Sequence, residues 1–209
     1  LTAMQLSDGG WGWFSGWREH SSPHTTAVVV HGLQLARKNG VAIVPGIVER
    51  GVNWLKNYQE RQIRLRKNAE RGLEPAKHRV DNTDALVAFV LADADGVDEA
   101  MLNYLYEDRN GLSVYGKAMT ALVFHRQEDR ERRDMLKRNI EQFLVQDDEN
   151  QTAFLDLPNN HYWWYWYGSD IEAHAYYLKL LAATEPNSEK ASGLVKYLVN
   201  NRKHATYWS

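Results

Sequence analysis

Cysteine is absent from the sequence. That excludes disulfides, cysteine-held zinc and a thiol nucleophile within the chain, and it leaves the redox compartment open. No apolar run approaches the roughly 20 residues that a membrane helix requires. The opening residues Leu1-Thr2-Ala3-Met4-Gln5 lack the basic and apolar regions of a secretory signal, and without an initiator methionine the chain reads as a piece cut from a larger protein. An excess of one charge is missing too. The 25 Lys and Arg nearly balance 27 Asp and Glu, for a formal charge of −2, so no global basic field points to nucleic acid or an anionic membrane. The stretch Arg61–Arg71 is locally basic, but Glu60 and Glu70 interleave with it and it reads as a solvated helix face.

Aromatic residues, by contrast, are plentiful. Eight Trp and eleven Tyr occur in 209 residues, gathered at Trp11–Trp17 and Tyr162–Tyr167. Such rings serve either as core filler or as a binding platform. The remaining composition, 44% hydrophobic and 25% charged, is that of an ordinary soluble domain large enough to bury a substantial core.

Helical spacing dominates the chain. Thr26 to Lys38 sets Val29, Val30, Leu33 and Ala36 on one stripe, and Asn39-Gly40 supplies a stop. Pro45 suits a first helical turn, followed by Ile47, Val48, Val52, Leu55 and Tyr58 on a helix with no breaker before Arg66. Gly72-Leu73-Glu74-Pro75 is a connector. Asp81 caps a helix carrying Ala85, Leu86, Ala88, Phe89 and Leu91, and Asp98 caps a shorter one with Met101, Leu102 and Leu105. Helices are predicted over Ser113–His125, Asp129–Val145, Asp170–Thr184 and Ser188–Asn201. Between them Thr152–Leu157, a turn at Pro158-Asn159-Asn160 and the aromatic run His161–Tyr167 have strand composition, which predicts a short aromatic β-hairpin near 152–167.

Short loops between successive helices suggest stacked αα-hairpins. Their starts look alike: Thr25-Thr26-Ala27-Val28, Thr83-Asp84-Ala85-Leu86, Gly116-Lys117-Ala118-Met119 and Ile171-Glu172-Ala173-His174. A small residue near each start would let these helices crowd together. The predicted fold is all-α, an α/α toroid or incomplete barrel of hairpins, with residues 1–209 as part of one domain.

The stretch Met4-Gln5-Leu6-Ser7-Asp8-Gly9-Gly10-Trp11-Gly12-Trp13-Phe14 has a Gln-x-x-Asp-Gly-Gly-Trp form. It resembles the turn found in α/α-toroid proteins, among them terpene cyclases, prenyltransferases and the thioester domains of α2-macroglobulin and complement proteins. The glycines permit a tight turn, and the Trp can stack beneath the next helix. Further segments narrow the resemblance to bacterial α2-macroglobulin-like proteins: His24–Val30, Leu35–Val41, Val44–Leu55, Ile171–Leu178, Val195–Arg202 and Tyr207–Ser209, in that order.

The resemblance implies a non-catalytic piece of the thioester domain of a broad-spectrum endopeptidase inhibitor that traps proteases. In that family a Cys-Gly-Glu-Gln segment forms a strained internal thioester that acylates an attacking protease; here it would lie before Leu1. In complement relatives a histidine near the turn attacks the thioester. His20 and His24 fall in the corresponding loop, although its length and content differ from the complement pattern. With Trp11, Trp13 and Phe14 they are the thioester-proximal candidates, while His31 and His174 read as core or lining histidines. Trp163, Trp164 and Trp166 are candidate interface or glycan-stacking residues. The implied partners are target proteases, met through the parent protein, and neighbouring β-sandwich domains of the same chain. No nucleic acid, direct membrane insertion, metal or cofactor is expected, and the implied location is extracytoplasmic, in the periplasm or at the cell surface.

Two other readings share the fold. A terpene cyclase or prenyltransferase needs Asp-x-Asp-Asp, Asp-Asp-x-x-Asp or cysteine-containing zinc sites, and neither Asp93-Ala94-Asp95-Gly96 nor Asp147-Asp148-Glu149-Asn150 matches. A glycan-binding or polysaccharide-lyase toroid would use the Trp163–Trp166 run, with carboxylates drawn from Asp156, Asp170 and Glu172, which no spacing singles out.

Overall fold

The computed structural model describes residues 1–13, 19–157 and 170–202. Among them are eight α-helices and one two-stranded antiparallel sheet, a content consistent with the expected all-α, toroid-like class. No helix of the described residues is long and apolar enough to cross a membrane. The chain divides into two compact units, Leu1–Asn110 and Gly111–Ser209.

The first unit holds α1 (Pro23–Lys38), α2 (Ile47–Glu70), α3 (Asn82–Ala92) and α4 (Glu99–Glu107). The start of α1 lies earlier than the apolar stripe predicts, because Ser22 caps it by accepting from the Thr25 N–H and Pro23 takes the first turn, where a missing N–H costs nothing. It ends in a Schellman motif. Gly40 adopts φ 77°, with Gly40 N–H bonded to Arg37 O and Val41 N–H to Ala36 O. Pro45 lies ahead of α2, in a turn whose Gly46, at φ 80°, is the N-cap. This helix runs past Arg66 to Glu70 and buries Ile47, Val48, Val52, Leu55 and Tyr58 as expected. Asp81 and Asp84 form a capping box at the start of α3. Every residue from Asp84 to Leu91 is buried, the pattern of a helix with neighbours on all sides.

The second unit repeats that pattern. It holds α5 (Val114–Arg126), α6 (Arg130–Glu141), β1 (Leu144–Asp147), β2 (Thr152–Leu155), α7 (Asp170–Thr184) and α8 (Glu189–Asn200). Residues Gly116–Phe124 of α5 are all buried. The small residues predicted to permit crowding are buried as well: Ala27, Ala85 and Ala118 are fully inaccessible and Ala173 is 3% exposed.

The hairpin is where sequence and structure part. The helix predicted to Val145 stops at Glu141, and Leu144–Asp147 forms a strand instead. Its partner is Thr152–Leu155, with Leu144 opposite Leu155 and Asp147 opposite Thr152. The turn is made locally. The Asp147 carboxylate accepts from the backbone N–H and the side-chain amide of Asn150, and Gln151 takes φ 51°; such side-chain bonds offer the backbone an alternative to helix. Thr152–Leu155 is therefore a strand as predicted, but it pairs backwards with Leu144–Asp147. The expected turn at 158–160 and the aromatic run 161–167, with Trp163, Trp164 and Trp166, lie outside the described residues.

Candidate functional site

The Gln5–Trp11 turn is built from side-chain bonds to its own backbone and to two helices. Gln5 Nε2 donates to Gly9 O at 2.8 Å and to Ile47 O at 3.0 Å, closing the turn and tying it to the first residue of α2. Gln5 Oε1 in turn accepts from Arg50 Nε at 3.0 Å and from Arg50 Nη2. Asp8 Oδ1 accepts from Gly10 N–H at 3.1 Å and Ser21 Oγ at 2.6 Å, while Oδ2 accepts from Trp54 Nε1 at 2.9 Å. Partial burial opposes the charge on Asp8, but the bonds from Ser21, Gly10 and Trp54 together hold its carboxyl below the usual aspartate value.

Both glycines are required by geometry. Gly9 sits at φ 95°, and a Cβ there would lie 2.9 Å from Arg50 O; one on Gly10 would lie 2.4 Å from Ser21 Oγ. Trp11 is 2% exposed. Its backbone N–H donates to Thr26 Oγ1 at 2.9 Å, Thr26 Oγ1 donates back to Trp11 O, and its indole N–H reaches Leu1 O at 3.0 Å. The ring lies over Gly51 of α2, where a Cβ would come within 2.8 Å of Trp11 Cζ3 and 2.6 Å of Val30 Cγ2 of α1. One indole thus fills the seam between α1 and α2.

The predicted candidates separate accordingly. Trp11 is core. Trp13 is 52% exposed, His20 is exposed, and His24 is half-buried in the first turn of α1. Phe14 lies outside the described residues. The turn therefore leads directly into the segment carrying Trp13, His20 and His24. Arg50, Trp54 and Ser21, which fix the turn, were not foreseen; the four-residue spacing of Arg50 and Trp54 on one side of α2 was the only trace of them.

His31 and His174 match their reading as core or lining residues. His31 packs edge-on against Phe89 with ring centres 5.1 Å apart. His174 is 1% exposed; Leu155 N–H donates to its Nε2 at 2.8 Å and its Nδ1 donates to Asp170 O at 2.5 Å. Burial lowers its pKa, keeping the ring neutral.

A buried charge centre in the first unit was also missed. Lys77 Nζ donates to Asp84 at 2.6 Å, Asp81 at 2.8 Å and Gln62 at 3.2 Å, and Tyr58 OH donates to Asp84 at 3.3 Å. Burial opposes the Lys77 charge, yet the two carboxylates hold its ammonium above the usual lysine value. Burial, with Asp81 alongside, pushes Asp84 up against the pull of Lys77. All five groups are occupied with one another, which is the mark of a structural cluster.

Among the described residues, no group of three His, Asp or Glu is placed to hold a metal. Asp156, Asp170 and Glu172 are all exposed. A cleft of about 370 Å³ beside the hairpin is lined, among the described residues, by polar groups including Asp147, Gln151, Asn187, Glu189 and Lys196, and by no aromatic ring.

Comparison with protein-family models finds no match, and neither does a search of curated proteins. Solved structures do match. Salmonella α2-macroglobulin reacted with methylamine aligns at a TM-score of 0.62 with 21% identity over 94% of this chain. The fold is that of a segment of bacterial α2-macroglobulin. Native Escherichia coli α2-macroglobulin, from domain MG7 to its C-terminus, gives a TM-score of 0.63 with 20% identity over 94% of this chain. The E. coli protein activated by porcine elastase gives 0.67 with 18% identity over the whole chain. The chain spans only 12%, 29% and 17% of those three α2-macroglobulin chains, respectively.

Proposed function

We propose that this chain is part of the thioester-type domain of a bacterial α2-macroglobulin-like protease trap, acting as scaffold and interaction surface and not as an enzyme. The observation that carries the reading is the agreement of fold along 94–100% of the chain with these α2-macroglobulins, together with the Gln5–Trp11 turn and its family form. One of the matching proteins was activated by elastase and another had reacted with methylamine. On this reading the parent of the present chain captures proteases, and residues 1–209 belong to a single domain that docks on β-sandwich neighbours outside the cytoplasm.

The sequence contains no cysteine, so any thioester is supplied from elsewhere in the parent. Trp13, His20 and His24 then form the rim nearest to it, with Trp11 holding that rim in place from the core. A histidine there would serve as acyl acceptor or as an orienting neighbour. The test is the coding sequence on either side of this segment. Flanking β-sandwich repeats, with Cys-x-Glu-Gln within about 100 residues ahead of Leu1, support covalent capture. The repeats without that motif support a steric trap. Absence of the repeats overturns the proposal.

A further inference from the structure

The second half of α2 carries a concentration of positive charge that neither the core nor the turn uses. Residues 61–79 hold seven Lys and Arg against two Glu, in a chain whose formal charge is −2. Two of the seven are consumed internally: Arg66 pairs with Glu70 and Asp108, and Lys77 with Asp81 and Asp84. The other five, Arg61, Arg64, Lys67, Arg71 and Arg79, are exposed and form no ion pair among the described residues. Cations near a helix C-terminus complement its dipole, but that effect fades within the last turn. It accounts for Lys67 and Arg71; Arg61 also lies over the Tyr58 ring, 5.5 Å from its centre, which leaves Arg64 and Arg79 unexplained.

Geometry gathers them. Arg61, Arg64, Lys67 and Arg71 fall within about a 120° arc of the helix, along roughly 15 Å of its axis. The connector then folds back beside them: Gly72 turns at φ 66°, Leu73 N–H bonds to Asn68 O, and Lys77 N–H bonds to Leu65 O at 3.0 Å. Asn68 Nδ2 donates to Pro75 O at 2.9 Å. These bonds lay the connector as far as Lys77 alongside α2, and Arg79 follows two residues later. At its tip stands Leu73, 52% exposed, an apolar side chain set just past the last cation of the helix. Glu60 is exposed within the same arc and Glu74 follows in the connector, and neither forms an ion pair with the stripe among the described residues.

We propose that this outer face of α2, with Leu73 at its tip, is an adsorption surface for an anionic lipid bilayer, laying the chain on the headgroups without spanning them. The chemistry fits. Arginine pairs with phosphate by two parallel hydrogen bonds, several basic residues on one side of a helix hold a protein at an anionic leaflet, and a single apolar side chain adds to such binding by entering the headgroup boundary. The exposed leucine is what favours lipid over an acidic polypeptide, which would gain nothing from it outside a pocket. The inference stands apart from the protease-trap reading, since it rests on this face alone.

The experiment is sedimentation of the chain with phosphatidylcholine vesicles, with and without about 30% phosphatidylglycerol. Binding is expected to the anionic vesicles only, and to weaken as salt rises past about 0.15 M. Replacing Arg61, Arg64 and Arg71 together by Gln should weaken binding about 100-fold, near fivefold per charge. Replacing all three by Lys should largely preserve it, and Leu73→Ser should weaken it with the charges intact. Circular dichroism of each variant separates lost binding from lost fold. No partition of the unaltered chain onto anionic vesicles overturns the proposal, as does equal binding to neutral ones. Undiminished binding by the triple Gln variant overturns it too, by placing the lipid contact elsewhere.

Discussion

In the first unit the Gln5–Trp11 turn is fastened to α1 and α2 by polar side chains, whereas in the second the Leu144–Leu155 hairpin is fastened to α7 and α8 chiefly by close packing, with a histidine and a lysine beside it. Gln5, Asp8 and Thr26 between them bond the backbone of the turn or side chains of the adjoining elements. Among the described residues the hairpin bonds to α7 through Leu155 N–H and His174, and to α8 through Lys196 Nζ, which donates to Gln151 Oε1 at 2.8 Å. For the rest it depends on contact, with Gly193 of α8 so near β2 that a Cβ would lie 2.8 Å from Ala153 N, and with Tyr197 stacked on Phe154 and His174 at ring separations of 5.4 and 4.8 Å. One attachment is mainly directional, the other mainly a matter of shape.

The largest effect is expected at Trp11. Trp11→Ala empties the seam between α1 and α2 and should cost about 3–5 kcal/mol of stability, measured by denaturant unfolding. Gly193→Ala comes next. The added methyl meets strand backbone, which cannot swing aside as a side-chain tip can, so a loss of about 1–3 kcal/mol is expected. The smallest effect is a pH dependence. Because burial lowers the folded-state pKa of His174, the unfolded chain takes up a proton near pH 6.5 that the folded chain refuses. Stability should therefore decline as pH falls through that range and level off below the folded pKa. His174→Gln should flatten that slope relative to the unaltered chain, in unfolding titrations at pH 7.5 and 5.5; an unchanged slope would show that His174 is not the group responsible.

The same difference explains what could be read from the residues. The turn was legible because its chemistry repeats at fixed spacing, Gln at one end, Asp then Gly-Gly in the middle and Trp at the close, and because each of these residues has one geometric reason to be there. The helices were legible for a similar reason: caps such as Asp81, Asp98 and Ser188 stand where the apolar spacing begins. The hairpin was not. Phe143 and Leu144 continue the helical spacing of Leu136 and Ile140, and only the arrival of Thr152–Leu155 as a partner turns Leu144–Asp147 into a strand. Pairing across a turn and against a histidine 19 residues further on leaves no local signature. The Lys77–Asp84 centre escaped for a related reason, since Lys77 lies in a connector and turns inward only once α2 and α3 have packed.

Of the candidates grouped by sequence, Trp13 and His20 are exposed and His24 is half-buried, whereas Trp11 is a core residue. The partners Arg50 and Trp54 sit more than forty residues away along the chain, beyond the reach of any local pattern.

The central claim, that this chain belongs to a protease trap, is tested most directly by capture. The parent protein would be mixed with trypsin or elastase and separated on a native gel, with a small chromogenic substrate and a large protein substrate assayed on the bound fraction. The account predicts that the protease migrates with the parent, still cleaves the small substrate and no longer cleaves the large one. Protease that stays free and cleaves both at full rate would contradict it.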